Sequence, residues 1–81
     1  MRVRLLFFAL YRELAGCSEL DFELPAGSTV SALLAALRAR GGPLTRLPPS
    51  PVVAINREYA RLDAILTDGD EVAILPPVAG G

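Results

Sequence analysis

From Arg2 onward the chain alternates. Val3, Leu5, Phe7 and Ala9 fall on one side of an extended segment, and Arg2, Arg4, Leu6 and Phe8 fall on the other, which is the period of a strand. The second side begins charged and ends apolar. A second period-two run, Leu20, Phe22 and Leu24, lies within Cys17 to Leu24 and closes at Pro25-Ala26-Gly27. It predicts a second strand, antiparallel to the first. Between the two, Leu10 to Ala15 has room for one helical turn stopped by Gly16. The period then changes. Val30, Leu33, Leu34 and Leu37 stand at i, i+3, i+4 and i+7, the buried stripe of a helix. Ser28 or Thr29 offers a hydroxyl to cap its free N–H groups, and Gly41-Gly42-Pro43 ends it. Leu44 to Pro51 is proline-rich and reads as a loop. Pro51 to Ile55 reads as a strand, Asn56-Arg57-Glu58 as a turn, and Tyr59 as a brief continuation. Asp68-Gly69-Asp70 is a turn signal that launches a last strand, Glu71 to Leu75, with Val72 and Ile74 on one face and Ala73 and Leu75 on the other.

The order is strand, strand, helix, strand, short strand, strand. One main helix packed on a mixed sheet gives an α+β fold of two layers, and this order is that of the ubiquitin-like β-grasp. The handedness of crossover connections predicts a third strand parallel to the first. Residues 1–75 are expected to form the domain and residues 76–81 a flexible tail ending in Gly-Gly. With 81 residues there is one domain and no room for a second. A chain this short buries only about 60–65% of its unfolded surface, so its core must be rich. The composition agrees, with 52% hydrophobic and 21% charged residues.

Composition narrows the function. The net charge is −1, and the arginines are scattered rather than gathered into the basic stripe of a nucleic-acid binder. The aromatics Phe7, Phe8, Tyr11, Phe22 and Tyr59 do not alternate with arginine as a base-stacking platform would. There is no histidine and one cysteine, Cys17. Catalytic triads, cysteine–histidine dyads, histidine metal ligands and internal disulfides are thereby excluded. The longest apolar run, Leu5 to Tyr11, is too short to span a bilayer, and no signal peptide is evident. The expectation is a cytoplasmic protein with no nucleic-acid or membrane partner.

Convergent polar groups are scarce. Asp68, Asp70 and Glu71 are the densest acids, but two of them sit in a turn and no further oxygen ligand is implied. Cys17 has no evident cation or helix N-terminus to activate it. Arg12 and Glu13 suit a solvated helix face. The apolar residues carry more. In a β-grasp the first and last strands are neighbours, so Leu6, Phe8, Ala73 and Leu75 would form one patch on the open face of the sheet, and such patches mark partner surfaces. The alternative is that Leu44 to Pro51 covers it. The patch leads into Pro76-Pro77, which fixes φ and removes two backbone donors. The strand must end there, and a stiff stem lowers the ordering cost of binding. Val78, Ala79, Gly80 and Gly81 then shrink in size. Six extended residues reach about 20 Å, and two glycines suit a narrow channel. A free, unhindered carboxylate is expected on Gly81.

Several segments together carry a resemblance. Leu5-Leu6-Phe7-Phe8-Ala9, Arg12-Glu13-Leu14-Ala15-Gly16, Thr29-Val30, Val53-Ala54-Ile55-Asn56, Asp68-Gly69-Asp70-Glu71-Val72-Ala73 and Pro76-Pro77-Val78-Ala79-Gly80-Gly81 resemble the small subunits of molybdopterin synthase, which are ubiquitin-like sulfur carriers. The last two segments are the most specific. The resemblance implies a non-catalytic sulfur-donating subunit of a heterotetrameric sulfurtransferase. A ubiquitin-activating-type enzyme would use ATP to adenylate Gly81, and a sulfur donor protein would convert the acyl-adenylate to a thiocarboxylate. The tail, Pro76 to Gly81, would then enter the active site of a large subunit and give its sulfur to cyclic pyranopterin monophosphate in molybdenum cofactor biosynthesis. No permanently bound cofactor or metal is implied. The alternatives are a sulfur carrier for thiamine or tRNA thiolation, a ubiquitin-like modifier joined to lysines of targets, and an interaction module with an inert tail. All eight basic residues are arginine, so no lysine side chain offers an amine for self-conjugation.

Overall fold

The computed structural model describes residues 1–48 and 51–76. In chain order the elements are β1 (Arg2–Phe7), α1 (Leu10–Ala15), β2 (Glu19–Glu23), α2 (Val30–Ala39), a 3-10 helix (Gly42–Arg46), β3 (Val52–Ile55), β4 (Glu58–Ala60) and β5 (Glu71–Leu75). The five strands form one sheet in the order β2-β1-β5-β3-β4. β1 and β5 are parallel, and every other neighbouring pair is antiparallel. This mixed sheet with a helix across it is the ubiquitin-like β-grasp.

One expectation is overturned. The strand parallel to β1 is β5, the last; β3 is antiparallel to β5 and therefore to β1. The handedness rule concerns the strand that feeds the helical crossover, and that strand is β2. Because β2 already runs opposite to β1, the crossover through α2 sets β3 parallel to β2.

The helical stripe is the centre of the core. Val30, Leu33, Leu34 and Leu37 are all fully buried, packed with Val3, Leu5 and Phe7 of β1 and with Val72 and Ile74 of β5. Thr29 is the N-cap, and its Oγ1 accepts from the Ala32 N–H at 3.2 Å. The proline-rich segment is more ordered than a loop. Its 3-10 helix buries Leu44, and Leu47 enters the core just after it, so this stretch serves the helix side of the sheet. Residues 49 and 50 lie outside the described residues.

Two backbone features bound α1, the turn that follows β1. Gly16 closes α1 in the left-handed conformation at φ 77°, where a Cβ would be strained. Ala9, between β1 and α1, takes φ 51° and ψ −128°, a region that costs a non-glycine residue on the order of 1–3 kcal/mol. The adjoining turn holds it there. The Tyr11 N–H donates to the Phe8 carbonyl and the Arg12 N–H to the Ala9 carbonyl, both at 3.1 Å, while the Tyr11 side chain is buried.

The opposite end of the sheet is held by a polar staple. Asn56 and Arg57 both have positive φ, as a two-residue hairpin turn of the type matched to strand twist requires. Asn56 Nδ2 donates to Asp70 Oδ1 at 3.0 Å, and Asn56 Oδ1 accepts from the Glu71 N–H at 3.0 Å. The Thr67 N–H donates to Asp70 Oδ2 at 2.8 Å, and the Arg2 N–H donates to Asp68 Oδ1 at 2.7 Å. The acids of the Asp68-Gly69-Asp70-Glu71 segment thus fasten the β3–β4 turn and the start of β1 to the start of β5. Replacing Asn56 with Ala removes both side-chain bonds and leaves at positive φ a residue without Asn's tolerance for that region. The expected loss is about 1–3 kcal/mol, measured by urea unfolding. A loss below about 0.3 kcal/mol would show that the staple contributes nothing.

Candidate functional site

The strand faces sort the sequence's candidate residues. Along β1 the buried residues Val3, Leu5 and Phe7 alternate with Arg2, Arg4 and Leu6, and along β5 the buried Val72 and Ile74 alternate with half-buried Ala73 and Leu75. Leu6 and Ala73 are direct register partners. Phe7 pairs with Ile74, the last pair of this ladder, and Phe8 and Leu75 are the next residues of their two segments. Of the four predicted patch residues, the register joins Leu6 to Ala73 on the open face with Leu75 two residues on along β5, while Phe8 follows the end of β1 and is exposed. The 3-10 helix and Leu47 lie with the helices, not over this face.

The register brings three further residues to the same face. Val52 pairs with Leu75, Ala54 with Ala73, and Tyr59 with Ala54. One row across the sheet thus reads Glu19, Leu6, Ala73, Ala54, Tyr59. Tyr59 is 80% exposed at the sheet's edge. A shallow, open groove beside it is bounded by Val52, Arg61 and Leu62. Sequence reasoning stopped at Leu6, Phe8, Ala73 and Leu75, yet the signal for Tyr59 was present. A two-residue turn at Asn56-Arg57 places Tyr59 opposite Ala54 by counting alone.

Charge surrounds this apolar centre on the side of β2. Arg4 Nε lies 3.5 Å from Asp21 Oδ1, and Arg2 Nη2 lies 2.9 Å from Glu23 Oε1. Glu23, by hydrogen bond and by charge, raises the pKa of Arg2 above its ordinary value. A cation so raised keeps its charge through the whole physiological range. These pairs are exposed, so each contributes little to the stability of the fold.

Other candidates are placed as structure. Cys17 is half-buried against the core, its Sγ 3.8 Å from the Ala15 carbonyl. Arg12 and Glu13 are exposed on α1. Among the described residues no three of His, Cys, Asp and Glu are grouped to hold a metal ion, and no helix is long and apolar enough to cross a membrane. Of the tail, Pro76 is half-buried; Pro77, Val78, Ala79, Gly80 and Gly81 lie outside the described residues.

The sequence and the fold are shared with known proteins. The chain is 43% identical over 83 aligned positions to the molybdopterin synthase sulfur carrier subunit of Chlamydomonas reinhardtii, covering 100% of both. Residues 5–81 match the ThiS family. The chain belongs to the ThiS family, among the molybdopterin synthase sulfur carrier subunits. Two solved structures relate this member to its neighbours. The small archaeal modifier protein 1 of Methanosarcina acetivorans is 32% identical, with a TM-score of 0.78 over 99% of this chain and 96% of that one. In the complex of subunits 1 and 2 of the molybdopterin-converting factor of Helicobacter pylori, a chain 27% identical superposes with a TM-score of 0.70 over 100% of both chains.

The face assignment gives a paired prediction. Leu5→Ala is expected to cost about 2–5 kcal/mol in chemical denaturation, because it empties a fully buried site. Leu6→Ala, one residue on and on the open face, is expected to cost about 1 kcal/mol or less. Equal losses, or the reverse order, would contradict the assignment.

Proposed function

We propose that this chain is the sulfur-carrier subunit of a molybdopterin synthase, with Gly81 as the residue that is charged. The observation that carries the reading is the end-to-end match to a molybdopterin synthase sulfur carrier subunit, and the apolar face at the tail's root supports it. An α-carboxyl titrates at about pH 3.5, so at neutral pH the Gly81 carboxylate is an anion and a poor electrophile. An activating enzyme joins it to the AMP portion of ATP with release of pyrophosphate. Hydrosulfide released by a sulfur donor protein then attacks the acyl carbon and AMP leaves. The resulting thiocarboxylate is a nucleophilic sulfur on a thin, extensible arm.

The carrier supplies no acid, base or metal in this scheme. It supplies positioning, which can be worth several kcal/mol of a barrier. Its open face docks on the large subunit through Leu6, Phe8, Ala73 and Leu75, joined by Val52, Ala54 and Tyr59. The tail from Pro76 to Gly81 enters the active site, where sulfur passes to cyclic pyranopterin monophosphate. The chain itself holds no cofactor, and ATP belongs to the activating enzyme. The need for ATP and a reduced sulfur donor assigns the chemistry to the cytoplasm.

The likeness to a small archaeal modifier protein favours a second reading, a modifier whose activated Gly81 is captured by an amine of a target. The two differ in the acceptor. A reconstitution with the activating enzyme, a sulfur source, a large subunit and the pterin precursor separates them. The expected result is molybdopterin formation that needs Gly81 and stops when Gly81 is deleted. Isopeptide-linked products with no molybdopterin would replace the carrier reading with the modifier.

A further inference from the structure

All eight cationic side chains are arginine, and all but Arg38 are exposed. For some of them the structure shows a use for a guanidinium. Arg2 sets both Nε and Nη2 on Glu23 Oε1, at 3.3 and 2.9 Å. Arg40 lies over the Phe22 ring, 4.9 Å from its centroid, a stacking contact that suits arginine. Arg12, Arg46 and Arg57 show no such use. Among the described residues the ion pairs and the ring contact belong to other arginines, and the side chains of these three make no hydrogen bond. A lysine would hold the same charge there without losing a contact, yet arginine stands at all three.

What separates the two cations is nucleophilicity. At pH 8 a lysine of reference pKa about 10.4 is a neutral amine in roughly one molecule in 250, and an arginine, at about 12.5 or above, is neutral in fewer than about one in 10,000. Neutral amines attack activated acyl groups; a guanidinium supplies the charge and withholds the nucleophile. The α-amino group of Met1 is held back in another way. It is half-buried and donates to the Leu24 carbonyl at 2.8 Å, and the Leu24 N–H donates back to the Met1 carbonyl at 2.9 Å. This exchange continues the β1–β2 ladder one pair beyond Arg2 and Glu23, so the amine is tied into the sheet. The thiol of Cys17 is also half-buried.

We propose that this surface is closed to acylation: it carries positive charge without a reactive amine, so an activated C-terminus is not captured by its own chain or by a second copy. This rests on the carrier reading above, in which Gly81 becomes an acyl-adenylate. Two kinds of nucleophile then compete for the acyl carbon. Hydrosulfide forms a C–S bond and expels AMP, which gives the thiocarboxylate. An amine forms a C–N bond, gives up a proton and expels AMP, which gives an amide that can carry no sulfur. An acyl carbon open to the sulfur source is open to amines as well, and lysines on the carrier would be present at the carrier's own concentration. A surface of guanidinium groups removes that sink. It also keeps the chain from being built into lysine-linked polymers of itself.

Restoring amines tests this. Wild type, Arg12→Lys/Arg46→Lys/Arg57→Lys and Arg12→Gln/Arg46→Gln/Arg57→Gln are incubated at pH 8 with ATP and the matching activating enzyme, with and without hydrosulfide. Thermal melts confirm that each is folded. Products are read by intact mass, and the joined residues by peptide mapping. Without hydrosulfide, the lysine variant is expected to form amides, two chains less one water or one chain less one water, at least about tenfold above wild type and the glutamine variant. With hydrosulfide, its yield of thiocarboxylate is expected to fall below that of wild type by the share lost to amide. A lysine variant as clean as wild type, while both gain sulfur, would overturn the proposal and leave the arginines a matter of composition. Wild-type chains joined through the Met1 amine would overturn it too, by showing that the sheet does not shield that group. No ATP-dependent gain of sulfur in any of the three would count against the carrier reading itself and, with it, the proposal.

Discussion

The parallel pairing of β1 with β5 is the contact on which the rest of the molecule depends. It joins the first and last strands at the centre of the sheet, with Leu5 beside Val72 and Phe7 beside Ile74. Parallel neighbours need a long connection, and here nearly the whole chain is that connection. Everything between β1 and β5 is therefore committed to covering one face of the sheet or extending its edges. The same pairing decides what happens at the other face. It puts Leu6 beside Ala73 and brings the exit of the chain to the end of the sheet where β1 hands over to Phe8 and α1.

The two ends of that strand pair are treated differently. At the start of β5, side-chain carboxylates and Asn56 satisfy backbone groups one by one, so the turn is held by specific polar bonds. At its finish Leu75 pairs with Val52 and Ile74 with Phe7, with no comparable set of side-chain bonds among the described residues. A polar, closed end fixes register, and an apolar, open end leaves surface for another protein. The energetic asymmetry fits a domain whose task is to hold β5 rigidly and present the chain beyond Leu75. Substituting the staple changes stability; substituting the open face changes what the protein meets.

Much of this was legible in the chain. The period-two and helical stripes named β1, β2, α2 and β5, because burial of one face by alternation or by 3.6-residue spacing is written directly in residue type, and of the two cap candidates, Ser28 and Thr29, the helix uses Thr29. The direction of β3 was misread because strand orientation depends on which strand feeds the crossover, a relation between elements rather than a pattern within one. Leu44 and Leu47 hid among prolines that imitate a loop. Ala9 could not be read at all, since alanine carries no mark of a positive-φ backbone and only the hydrogen bonds and burial around it impose one. Tyr59 was overlooked for a simpler reason. A three-residue strand is too short to show a period, although the turn before it sets its register.

The central claim is that Gly81 accepts sulfur as a thiocarboxylate. The most direct measurement is the intact mass of the chain after incubation with ATP, a matching activating enzyme and a sulfur source. A gain equal to replacing one oxygen atom by sulfur, absent when Gly81 is deleted, is the result this account predicts. An unchanged mass, with the same activating enzyme competent on another carrier, would contradict it.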